Sequence, residues 1–159
     1  MAGPLTAVLE FLGRTRVVPV DAIRVLSQLP EMVVGAGTVV NAAQVQAAVA
    51  AGAEYVVSPG FSREVSRECA TLSVPLIPGV MTPTEVMVAV DAGHNVLKFF
   101  PAQAAGGAAM LRALAAPFPD VRFVPTGGIG ASELADFLSI PAVMAVGGTW
   151  VAPRPLWRQ

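Results

Sequence analysis

The chain has 159 residues, 54% of them hydrophobic and 13% charged, with ten Lys+Arg against eleven Asp+Glu and a formal net charge of −1. That length is one domain's worth, and a mean hydropathy of +0.64 excludes intrinsic disorder. The balanced charge leaves no basic block for nucleic acid, and Asn41, Gln44, Glu54 and Asp91 keep the apolar runs short of the roughly 20 residues of a membrane span. No basic cluster precedes a hydrophobic run at the start, and the lone Cys69 forms no internal disulfide, which fits a reducing cytoplasm. In chain order, Ala7–Leu12 reads as a short strand and Asp21–Leu29 as a helix. Apolar runs then alternate with Ala-rich segments of helical character. The runs are Met32–Val39, Tyr55–Pro59, Pro75–Val80, Val96–Phe100, Val121–Thr126 and Ala142–Val151. They are nearly continuous in apolar residues, as parallel strands covered on both faces are. Between them lie Ala42–Ala51, Arg63–Leu72, Thr84–Ala92, Ala105–Ala115 and Ser132–Leu138, with Asn41, Ser62, Thr82-Pro83 and Ser132 as start signals.

Turn motifs at Gly35, Ser58, Gly79, Lys98, Pro125 and Gly147 recur every 19 to 27 residues, so each unit is one strand, one loop and one helix. Repeated βα units build a doubly wound sheet or a (β/α)8 barrel. Glycine- and proline-rich turns at the strand ends favour the barrel, and no Gly-x-Gly-x-x-Gly signature opens a helix. We expect an α/β fold of the (β/α)8 TIM-barrel type as a single domain over 1–159. It would be incomplete, with about seven strands, since whole barrels run to about 250 residues.

One histidine (His94), one cysteine, one tyrosine and one lysine make a His/Cys zinc site improbable. The single lysine, Lys98, sits among apolar residues in Val96-Leu97-Lys98-Phe99-Phe100-Pro101. Burial lowers a lysine pKa, and a neutral amine can attack a ketone to form a Schiff base. The alternative is a packed stem with its ammonium reaching the rim. Thr126-Gly127-Gly128 and Gly147-Gly148-Thr149 fall in the last two loops, where barrels often bind phosphate; tight turns that merely need glycine would look the same. Glu10 and Arg14 could serve as an acid/base and a carboxylate clamp. On spacing alone, an exposed i,i+4 helical pair is the simpler reading. His94 reads as a helix-end residue, Cys69 as a small core residue and the phenylalanines as core fillers.

Val34-Gly35-Ala36-Gly37-Thr38-Val39, Ser58-Pro59-Gly60, Pro78-Gly79-Val80, Leu97-Lys98-Phe99-Phe100-Pro101-Ala102, Pro125-Thr126-Gly127-Gly128-Ile129 and Val146-Gly147-Gly148-Thr149-Trp150 occur in that order. Together they closely resemble the 2-keto-3-deoxy-6-phosphogluconate (KDPG) and 4-hydroxy-2-oxoglutarate aldolase family, class I lyases on a (β/α)8 barrel. The resemblance implies that Lys98 is the Schiff-base lysine, Glu10 the acid/base and Arg14 a substrate-binding arginine. It makes Thr38 a ligand of the pyruvate end, and Gly127, Gly128, Gly147, Gly148 and Thr149 the phosphate-binding loops, with Thr126 beside them. It also implies cleavage of a phosphorylated keto acid to pyruvate and glyceraldehyde 3-phosphate, no metal or organic cofactor, and a homotrimer. Thr149 stands where serine is common and Gln103 where glutamate is. Against the family pattern, the first strand–helix unit and the closing helix are missing. Unpaired apolar edges at Ala7–Leu12 and Ala142–Val151 should then promote aggregation. The competing reading is a non-catalytic remnant that keeps phosphorylated-ligand binding; a phosphate-binding barrel isomerase leaves the lysine unexplained.

Overall fold

The computed structural model describes residues 20–29 and 32–148; Ala7–Leu12, Glu10, Arg14, Thr149, Trp150 and Trp157 lie outside them. The chain divides into two compact units. Among the described residues the first takes in 20–29, 32–57 and 64–76, and the second 58–63 and 77–148.

The first unit holds α1 (Val20–Leu26), β1 (Gly35–Gly37), α2 (Ala42–Ala50), β2 (Tyr55–Val57), α3 (Arg63–Thr71) and β3 (Leu76–Ile77); Arg63 and Ile77 fall in the second unit. The strands run in the order β1-β2-β3, with β1 and β2 parallel and Gly35 opposite Tyr55. Helix α2 starts where expected. The Asn41 side chain accepts from the Gln44 N–H at 2.9 Å, and the Gln44 side-chain oxygen accepts from the Val40 N–H at 2.8 Å. Val45 and Ala48 on its inner face join Ile23, Val56, Val65 and Cys69 in a buried cluster. The expected Met32–Val39 strand is a ladder over Gly35–Gly37 alone. Val33 is 69% exposed, and past Thr38 a single bond from the Val39 N–H to the Val57 carbonyl continues the pairing. Gly35 is glycine for a packing reason, since a Cβ there would run into the Tyr55 ring.

The second unit holds β4 (Gly79–Val80), α4 (Pro83–Asp91), β5 (Val96–Phe99), α5 (Gly107–Ala115), β6 (Arg122–Pro125) and α6 (Leu134–Leu138). Its strands run β4-β5-β6, all parallel, with Gly79 opposite Lys98 and Lys98 opposite Val124. Helix α4 opens on a reciprocal cap: Thr82 Oγ1 accepts from the Glu85 N–H, the Glu85 carboxylate accepts from the Thr82 N–H, and Pro83 occupies the first turn. Burial raises the Glu85 carboxyl pKa, but the hydrogen bonds from Met81 and Thr82 outweigh it and hold the group below its ordinary value. Val86, Leu97, Phe99, Leu111, Phe123 and Phe137 form the core.

Four further expected elements differ, each for a local reason. The Pro75–Val80 run is two strands with Pro78 between them, because proline has no N–H to donate to a ladder; its carbonyl still accepts from the Lys98 N–H at 2.8 Å. The Ala142–Val151 strand is reduced, within the described residues, to two parallel bridges, Phe123–Val143 and Thr126–Gly147. The bridged residues are three apart on one side and four on the other, so an extra residue interrupts the ladder as a bulge does. Helix α5 begins at Gly107 and not Ala105, since Gly106 and Gly107 adopt positive φ (108° and 65°). Ser132 does not cap α6: Glu133 holds that position, with the Ser132 hydroxyl donating to its Oε1 and the Gly130 N–H to its Oε2. Among the described residues no helix is long and apolar enough to cross a membrane.

Candidate active site

Lys98 occupies the third position of β5, between Leu97 and Phe99, and only 8% of it is exposed. Its backbone is held on both sides, by Gly79 of β4 and Val124 of β6. The close fit begins at Gly79, where a Cβ would collide with the Pro59 carbonyl. Burial penalises the ammonium and holds the amine below its ordinary pKa, toward the neutral form that attacks carbonyls. The Phe100 ring centroid lies 4.3 Å from Nζ.

The loop after β5 is tied to the loop after β6. The Thr126 N–H donates to the Phe99 carbonyl at 2.9 Å, the Ala102 N–H to the Thr126 carbonyl at 2.9 Å, and the Gln103 N–H to the Gly127 carbonyl at 3.0 Å. Gly127 and Gly128 both have positive φ, 105° and 76°. A Cβ on Gly127 would stand 3.1 Å from the Phe100 ring, so glycine lets this turn close against the aromatic that covers the lysine. The Gly147 N–H donates to the Pro125 carbonyl at 2.9 Å, which sets Gly147 beside Thr126.

Lys98, Thr126, Gly127, Gly128, Gly147 and Gly148 therefore share the second unit, at the carboxyl ends of β5, β6 and the bridged segment. Thr38 belongs to the first unit, just past β1. It is exposed and holds φ at 64°, an unusual conformation for a β-branched residue that functional positions often retain. Glu10, Arg14 and Thr149 lie outside the described residues. His94 follows α4 as expected, edge-on to Phe61 at 6.0 Å, and burial lowers its pKa. Cys69 is buried in α3, where burial and then Glu68 push its thiol pKa up. One contact of Lys98 escapes the sequence reading, which makes Phe100 a core filler. Its separation of two from Lys98 is the available signal, because residues i and i+2 of an extended chain share a face.

Parallel strands alternating with helices, and a desolvated lysine near the end of one strand, define an α/β protein with a buried amine among its parallel strands. A sequence model of the KDPG and KHG aldolase family matches residues 5–159. The 2-dehydro-3-deoxy-phosphogluconate aldolase of Pseudomonas aeruginosa is 47% identical over 154 residues, covering 96% of this chain and 69% of that protein. The KHG/KDPG aldolase of Escherichia coli K12 is 44% identical over 147 residues, 92% of this chain and 68% of that one. Among solved structures, the KDPG aldolase of Legionella pneumophila, with pyruvate captured as a covalent carbinolamine, superposes with a TM-score of 0.86 at 40% identity, over 98% of this chain and 79% of that one. The KDPG aldolase of Zymomonas mobilis ZM4 with 3-phosphoglycerate gives a TM-score of 0.83 at 37% identity, over 94% and 75%. This chain belongs to the KDPG and KHG aldolase family, and its fold is of that family's barrel-type α/β class.

Proposed function

We propose that the chain is a class I aldolase, a carbon–carbon lyase that cleaves 2-keto-3-deoxy-6-phosphogluconate to pyruvate and glyceraldehyde 3-phosphate and also accepts 4-hydroxy-2-oxoglutarate. The observation that carries this reading is Lys98: a buried amine with a lowered pKa, near the carboxyl end of a parallel strand whose following loop is hydrogen-bonded to the Gly127 turn. The captured carbinolamine of the Legionella relative and the phosphorylated three-carbon acid in the Zymomonas relative support the same chemistry.

Lys98 Nζ attacks the C2 ketone, and the carbinolamine loses water to give an iminium. Glu10 takes the proton of the C4 hydroxyl, directly or through a water, and the C3–C4 electron pair moves into the iminium as glyceraldehyde 3-phosphate leaves. The resulting enamine is protonated at C3, and hydrolysis of the pyruvate imine frees Lys98. The protonated imine is itself the electron sink, so the step needs neither metal nor organic cofactor. Arg14 and Thr38 hold the carboxylate end; Thr126, Gly127, Gly128, Gly147, Gly148 and Thr149 form the phosphate cradle. In this reading 1–159 is one barrel-type domain of about seven strands; the chain spans 68–69% of the lengths of the relatives it matches. The active form is a cytoplasmic homotrimer.

Borohydride reduction in the presence of pyruvate, followed by peptide mapping, tests the assignment. Lys98 is the only lysine, so apart from labelling at the N-terminal amine the adduct should appear on its peptide and vanish in Lys98→Ala. Glu10→Gln should slow turnover by about 10²–10⁴-fold yet still trap pyruvate. Folded protein without an adduct at Lys98 ends the Schiff-base proposal.

A further inference from the structure

A second concave feature of the second unit lies away from the lysine. Arg122 is the first residue of β6 and pairs with Val96, the first of β5, so it marks the amino ends of the parallel strands; Lys98 and Thr126 mark the other ends. Beside Arg122 opens a cavity of about 280 Å³, lined among others by Arg112, Phe118, Ile140, Pro141 and Ala142. Two arginines line it, and among the described residues no acidic side chain does. Arg112 is already oriented. Its Nη2 donates to the Asp136 carbonyl at 3.1 Å and to Ser139 Oγ at 2.9 Å, near the carboxyl end of α6. Both of its hydrogen bonds among the described residues leave from Nη2, and among those residues Nε and Nη1 donate to nothing.

Arg112 and Arg122 line one cavity, and a guanidinium's planar donor fork matches a carboxylate that sits between them. The rest of the lining is apolar, through Phe118, Ile140, Pro141 and Ala142, and a hydrated inorganic ion would leave that surface unused. The volume is just under the about 300 Å³ at which small-molecule sites begin, room for one small molecule and not for a nucleotide or a peptide. We propose that this cavity binds a small organic monocarboxylate with an apolar body. The carboxylate lies between Arg112 and Arg122, and the body rests on Phe118, Ile140 and Pro141. The site is separate from the aldolase chemistry, because it opens at the opposite ends of the same strands.

The test is an amide-resolved NMR titration of the whole 159-residue chain with sodium benzoate at constant ionic strength, with benzyl alcohol and inorganic phosphate as the comparison probes. Benzoate should shift the Ala116, Phe118, Arg122 and Ala142 amides saturably, and both comparison probes should bind at least about tenfold more weakly. Arg122→Glu should remove saturation without lowering the melting temperature, because Arg122 holds no helix end. Should Arg122→Glu unfold, Arg122→Gln carries the same expectation of at least about tenfold weaker binding. The proposal is overturned if benzoate shifts only amides around Lys98, or binds the Arg122 variants as tightly as the parent. Equal binding of benzyl alcohol would reduce the site to an apolar cavity, and equal binding of phosphate to a simple anion site; either also overturns it.

Discussion

The Phe100 ring stands over the Lys98 amine, its centroid 4.3 Å from Nζ. Two influences therefore act on one nitrogen in opposite directions. Burial drives it toward the neutral amine that attacks a ketone, and the negative face of the ring favours a cation. In the proposed reaction the nitrogen must be neutral at attack and cationic as the iminium, so the ring helps when the charge has formed.

Phe100→Leu keeps the site apolar and removes the ring. A cation–π contact of about 0.5–2 kcal/mol translates into a fall of about 2- to 30-fold in kcat/KM for aldol cleavage. Steady-state kinetics beside a thermal melt separates this from unfolding. Parental kinetics in a well-folded Phe100→Leu would remove the ring from the mechanism.

Lys98 should also set a pH dependence of stability. Burial disfavours its ammonium in the folded chain, so the unfolded chain binds this proton more tightly. The penalty is in full force below the lowered folded pKa. It is relieved as the pH climbs from that value toward the unfolded lysine value of about 10.4. Lys98→Met should accordingly have a higher urea midpoint than the parent near neutral pH, and the gap should close in alkali. A gap that does not change with pH would mean that the amine is not desolvated.

Gly79 lies opposite Lys98 in the ladder and against the Pro59 carbonyl. Gly79→Ala must displace backbone, and we expect a loss of about 1–3 kcal/mol in chemical denaturation. Gly37→Ala is the matched comparison: nothing lies within 4 Å of its would-be Cβ, and its effect should stay within about 0.5 kcal/mol. Similar losses at the two positions would contradict the packing described.

The phosphate role of the second glycine turn has its own signature. Gly128 has φ of 76°, and its would-be Cβ stands 3.0 Å from Gln103 Cβ, so alanine there reshapes the turn without touching Phe100. Gly128→Ala should raise KM for the phosphorylated substrate by about tenfold or more and leave the 4-hydroxy-2-oxoglutarate reaction within about twofold. Equal rises for the two substrates would take the phosphate away from this turn.

What can be read from the chain alone is what short-range chemistry decides. The alternation of strands and helices is legible because runs buried on both faces carry no polar alternation. The starts of α2 and α4 are legible because Asn41 and Thr82 meet partners only three residues away. The apolar neighbours of Lys98 allow burial or a stem reaching the rim, and the structure decides for burial. Other features depend on partners distant in sequence, and only the tertiary structure decides them. Strand length is one: a ladder persists only where a neighbour offers hydrogen bonds in register, so Met32–Val39 shrinks to three residues, Pro78 divides one run, and an extra residue interrupts another. The close fit of Gly79 beneath Pro59, and of the Gly127 turn against Phe100, is another, since a glycine's neighbours do not say what approaches it. Arg112 and Arg122 form no motif in the sequence; a helix end and a strand start bring them to one cavity because α5 reverses the chain direction between parallel strands.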